Sequence, residues 1–201
     1  MSASGAGRVR AALWISYALN ANTYAVMLAT LILWVEGDLT LTSFLTELAF
    51  FGLLPLLPIL INAVRGKVDV FVSERGDRPI YFILAVAAYA GGYLTYRFLL
   101  LDRHLSYFIL TYAVVTGAMA VFTLKWKASV HACGISGPTT YMVINFGMPY
   151  AALYLLLVPI YFARHSLKAH SPFELALGTI VGVMFTLLTA LFVAVAPQLL
   201  P

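Results

Sequence analysis

Six stretches of this chain run for at least eighteen residues with no more than one charge: 11–35, 40–64, 79–96, 105–124, 132–163 and 175–201. A hydrocarbon core roughly 30 Å thick takes about 20 helical residues to cross. Each run is therefore at least about as long as a membrane helix. Only Glu47 brings a charge into any of them. With 62% hydrophobic and 10% charged residues and a mean hydropathy of +0.93, little sequence is left from which to build a soluble domain. The expected fold is all-α, a polytopic transmembrane helical bundle of about six to seven membrane helices, forming one integral membrane domain over residues 1–201. The first run, from Ala11, is too long for the apolar region of a cleaved leader and is read as the first span. The lone Cys133 excludes an internal disulfide and a cysteine zinc cage. The net charge of +4 sits in short loops between spans, which favours membrane orientation or anionic lipids over nucleic acid as partners.

The run 132–163 is too long for one crossing. Its 32 residues would reach about 48 Å as a single helix. It also contains Gly147-Met148-Pro149, a helix-breaking triplet. It is expected to fold as a hairpin with arms near 135–147 and 149–165. That expectation carries a functional consequence. Polar clusters lie at 65–78, 125–131 and 164–174, and hold 12 of the 20 formal charges. Two spans separate the first from the second, and two arms the second from the third, so all three reach one membrane face. On that face, with the N-terminus, lie ten Lys and Arg against two, Arg97 and Arg103, on the other. This excess predicts a cytoplasmic cluster face.

In the third cluster, Arg164, His170 and Glu174 follow at spacings of six and four. A helix starting near Ser171 puts His170 and Glu174 on one side, where the carboxylate can hold one ring nitrogen and leave the other as a nucleophile. Arg164 offers a planar fork of donors to phosphate oxygens. Ser171, Pro172 and Glu174 equally read as a helix-capping box, and both readings can hold together. The second cluster places Lys127, Ser129 and His131 at alternating positions before Gly134. His131 can protonate a leaving oxygen, or simply serve as a polar cap, with Lys127 as an interfacial side chain. In the first, Arg75 and Arg78 stand three apart just before Pro79, either in a solvated loop of weak ion pairs or over the same mouth as Arg164. Gly178 and Gly182 read as a close-packing pair. Glu47, inside the second span, reads as an interfacial residue or as a partner to a neighbouring helix.

In order, these are Arg78-Pro79, then Lys127-x-Ser129-x-His131-x-x-Gly134, then Arg164-x5-His170-x3-Glu174-x3-Gly178. The series resembles the type 2 phosphatidic acid phosphatase family, whose site is shared with vanadium haloperoxidases. The resemblance covers roughly residues 65–182. Its third motif has Ala163 in place of Ser and Glu174 in place of Asp. The second keeps Ser129 and His131, with Val130 in place of Gly. The first keeps Arg78 and Pro79 but has Phe71 where the family has a phosphate-binding Lys. The family implies a metal- and cofactor-independent mechanism. His170 would attack phosphorus, Glu174 would orient it, and His131 would protonate the leaving oxygen. Arg164, Arg78, Arg75 and Lys127 would hold the phosphate. The expected function is hydrolysis of a lipid phosphate or diphosphate, a polyprenyl one being plausible. The alternatives are a lipid phosphotransferase of the same superfamily and a non-enzymatic small transporter or scaffold.

Overall fold

The computed structural model describes residues 3–196, and among these every regular element is helical. Two helices, α1 (Ala3–Ala18) and α2 (Ala21–Glu36), share the first apolar run, which was expected to be one continuous span. The break comes from Asn20. Its backbone is extended, and its side chain accepts a hydrogen bond from the Asn22 N–H at 3.0 Å, so it caps a new helix. The two axes diverge by 47°. Gly37, at φ +81°, closes α2 by donating its N–H to the Leu33 and Trp34 carbonyls.

A Thr40–Ser43 capping box starts α3 (Leu41–Val64). Within it Leu48–Leu53 forms a π turn just ahead of Pro55, which has no N–H to keep the α register. The helix α4 (Arg75–Leu100) opens with a 3-10 turn and ends in a second π turn over Thr95–Leu100. Asp102 caps α5 (Arg103–Thr123) by accepting the Leu105 N–H at 2.8 Å.

Ser129 caps α6 (Val130–Phe146), and Gly147, at φ +101°, ends it. Then α7 runs as a 3-10 helix over Met148–Leu156 and as an α-helix over Leu157–Ser166. The run 132–163 folds as a hairpin, its first arm starting five residues earlier than expected because Ser129 supplies the cap. A hydrogen bond of 2.6 Å between the Thr140 and Tyr154 hydroxyls ties the arms together. The last helix, α8 (Pro172–Val195), starts on the Ser171–Glu174 capping box.

The centre of the bundle is α6. Every residue from His131 to Met142 is buried, against α2, α5, α7 and α8. Glycines let these backbones close. A Cβ on Gly178 would strike the Ser129 carbonyl, one on Gly182 would lie 2.7 Å from the Cys133 carbonyl, and one on Gly134 would meet Ala21. The Gly178–Gly182 pair is thus the packing seam that its spacing predicts. It locks the start of α6 to the start of α8, where the Ser129 N–H donates to the Glu174 carbonyl at 3.0 Å.

The outer surface is apolar. Leu53, Leu57 and Leu60 on α3 and Leu187, Leu188, Leu191 and Phe192 on α8 are all exposed. In water such faces would aggregate; in lipid they are solvated. Trp14, Trp34 and Trp126 also point outward, as interfacial tryptophans do. Four helices, α3, α4, α5 and α8, are long and apolar enough to cross a membrane, or five if the bent α1–α2 pair is one span. At 17 residues, and with a 3-10 half, the two arms of the hairpin fall short of that measure.

Candidate active site

Three turns of chain bring the polar clusters together. The loop after α3 carries Asp69, whose carboxylate accepts the N–H groups of Phe71 and Ser73, both at 2.8 Å. This tight turn drives Val72 to φ +45°, an unusual conformation for a β-branched residue. Phe71 is thereby pointed inward. The start of α4 supplies Arg78, the start of α6 His131, the end of α7 Arg164 and the cap of α8 His170. All four line one cavity of about 120 Å³, together with Phe71. All four are at least 95% buried.

Deeper in, the cavity wall becomes apolar, with Leu56, Ile59, Phe82, Val115 and Met119, and ends near Asn22, Tyr89 and Tyr112. The other three residues expected from sequence are placed differently. Arg75, Lys127 and Glu174 line an open surface depression with Lys125 and Trp126. Arg75 spends a donor on the Lys125 carbonyl at 2.6 Å. Glu174 stands between the two spaces. Its Oε2 accepts the Ser171 N–H at 2.9 Å, completing the cap, and lies 3.4 Å from Nδ1 of His170. That approach is close enough for an ion pair, yet its angles do not make a hydrogen bond, so Nδ1 is formally unpartnered. The carboxylate of Glu174 completes the cap and stands beside His170, without the hydrogen bond to the ring that the spacing predicts.

The electrostatics of the cavity are unbalanced. Arg78 gives Nε to the Val72 carbonyl at 2.8 Å and Nη1 to the Ala128 carbonyl at 3.3 Å, neither of them charged. Arg164 gives Nη1 to the Ser16 hydroxyl at 3.4 Å, and its buried Nε has no partner. Its guanidinium lies over the Phe71 ring at 4.9 Å. Two buried cations thus share one cavity without an ion pair between either of them and a carboxylate. Burial, then the positive charges of Arg78 and Arg164, push His170 down to about 4, against the opposing pull of Glu174. His170 is neutral at physiological pH, the form a nucleophile requires.

His131 approaches the Ser16 carbonyl with Nε2 at 3.1 Å. A carbonyl only accepts, so Nε2 carries the hydrogen. The ring of His131 also lies 5.6 Å from that of Phe71, which in turn lies 5.1 Å from Tyr17. Ser16 and Tyr17 were not expected at the site. Their helix reads as part of the first span in sequence; in the structure it departs from α2 by 47°, and Ser16 near its end reaches His131 and Arg164.

Comparison with family models, with curated proteins and with solved structures finds no match to this chain.

Proposed function

We propose that this chain is an integral membrane lipid phosphatase of the type 2 phosphatidic acid phosphatase superfamily, acting on a lipid phosphate or diphosphate. One observation carries the reading. Two buried arginines, one with an unpartnered N–H, stand beside a neutral histidine at the polar end of an otherwise apolar cavity. Buried donors without acceptors call for an anion, and the apolar extension suits a hydrocarbon tail, such as a polyprenyl chain.

The chemistry needs no group beyond these side chains. With Nδ1 facing Glu174, Nε2 of His170 attacks phosphorus and the ester P–O bond breaks, giving phosphohistidine. Arg78 and Arg164 take up the charge that develops on the equatorial oxygens. Arg75 and Lys127, at the surface depression, draw the headgroup toward the mouth. His131 protonates the departing oxygen. Because its Nε2–H is held by the Ser16 carbonyl, it is an acid only as the imidazolium, a form that a bound phosphate dianion favours. Water then attacks phosphorus, His131 takes the proton, the N–P bond breaks and inorganic phosphate leaves.

In this reading α2 to α8 each cross the membrane, the hairpin arms as a short pair within the bundle, which makes seven crossings. The excess of Lys and Arg turns the catalytic mouth to the cytoplasm. The test is phosphate release from polyprenyl and diacylglycerol phosphates by purified protein in detergent with chelator. His170→Ala should lower it by a factor on the order of 10⁴ or more while leaving the melting temperature within a few degrees. Full activity in that variant, or activity only with added magnesium, would sink the proposal. Transfer of the phosphoryl group to an alcohol without release of phosphate would mark a phosphotransferase instead.

A further inference from the structure

We propose that Glu47, Thr30 and Tyr96 form a proton-binding site in the half of the bundle remote from the cluster face, with the Glu47 carboxyl as the group that takes up and releases the proton. Of the eight acids, Glu47 alone lies more than one turn inside an apolar helix. It is fully buried. An ionisable group at such a position is costly to retain unless it has a task.

The hydrogen count identifies the ligand. The Thr30 hydroxyl has one hydrogen and donates it to the Val26 carbonyl, one turn back on α2, at 2.9 Å. The same oxygen is in close contact with Oε1 of Glu47. One hydroxyl hydrogen cannot serve both the Val26 carbonyl and Oε1 of Glu47. A hydrogen on the Glu47 carboxyl makes both contacts hydrogen bonds, with Thr30 donating to Val26 and Glu47 donating to Thr30, and so bridges α3 to α2. An ionised Glu47 takes the Thr30 hydrogen for itself and leaves the Val26 carbonyl without it.

Two further observations converge on the same spot. Oε2 of Glu47 and the hydroxyl of Tyr96 are both buried without a hydrogen-bond partner. One is an acceptor and the other a donor, so each lacks what the other offers. Both residues also sit at π turns: Glu47 immediately precedes that of α3, and Tyr96 lies within that of α4. π turns recur where a helix departs from the α register to serve a site. The titratable groups that act on Tyr96 are Glu47 first and Asp102 next. Asp102 lies at the loop of the opposite face, with its N–H donating to the Tyr96 carbonyl at 3.0 Å. The site is separate from the histidine cavity and stands whether or not the phosphatase reading holds.

Infrared spectroscopy of the purified protein tests it. The carbonyl stretch of a protonated carboxyl group is expected at neutral pH, present in the wild type and in Asp38→Asn, and absent from Glu47→Gln. It should disappear in one transition as the pH is raised. If Glu47→Gln removes carboxylate bands at neutral pH and no carboxyl band, Glu47 is ionised and the proposal is overturned. Should that variant fail to fold, Thr30→Val reads the same point. Losing the acceptor of the carboxyl O–H should move the band to higher frequency, and an unmoved or absent band overturns the proposal.

Discussion

The two buried polar sites of this molecule are opposites. At the cluster face, Arg78, Arg164 and the two histidines offer more donors than the protein accepts, and the Nε of Arg164 is left over. In the other half, around Glu47, the surplus is of acceptors: the Thr30 hydroxyl has one hydrogen for two oxygens. Surplus buried donors attract an anion; surplus buried acceptors attract a proton. The same low dielectric enforces both, because an unpaired buried polar group costs on the order of 1–3 kcal/mol and a buried charge more. The comparison also explains their settings. The donor site opens toward a cavity with room for a ligand, whereas the acceptor site is packed among Phe50, Phe51 and Tyr96.

The largest effect that could break this contrast is at Arg164. Arg164→Leu should lower phosphate release about 10²- to 10³-fold, as loss of a transition-state donor does. It should leave the melting temperature unchanged or raised, because an unpaired buried cation beside Arg78 is removed. A large fall in melting temperature would mean that Arg164 is a structural strut.

Acidification gives the next effect. His170 is depressed in the folded protein below its unfolded value of 6.5, so activity should persist as pH falls through 6.5 and be lost only toward about 4. Stability follows the same sign. The unfolded chain binds the proton first, so stability declines as pH drops across that window. Urea titrations should find a flatter pH profile for His170→Gln.

The smallest expected change is a gain. Phe71 stands against Arg164 and His131, where the resemblance would have a lysine. Phe71→Lys should raise phosphate release several-fold by adding a phosphate donor. A loss of activity in that variant would make the ring part of the substrate seat rather than a plug.

Much of the helical framework was legible in the chain. The apolar runs, the Gly147 break and the Ser171 cap act through local backbone chemistry, which a sequence displays directly. Because the break divides one long run into two arms, the meeting of Arg164 with His131 could be anticipated. The bend at Asn20 was less visible, since one Asn in a charge-free run reads as tolerable within a helix until its side chain is seen to cap. Ser16 lies on the helix ahead of that bend and meets His131 and Arg164 across it.

What the sequence determined by itself is the all-helical class, the points where helices start and stop, and the common face of three polar clusters. Those follow from hydropathy and from caps that span a few residues. The tertiary structure decided how the charges divide: Arg78 and Arg164 inside, Arg75 and Lys127 at the rim, Phe71 between an arginine and a histidine. It also decided which hydrogen bonds remain unmade. Such a balance depends on which carbonyl or hydroxyl from a distant helix comes within about 3 Å, and no spacing along the chain encodes that distance.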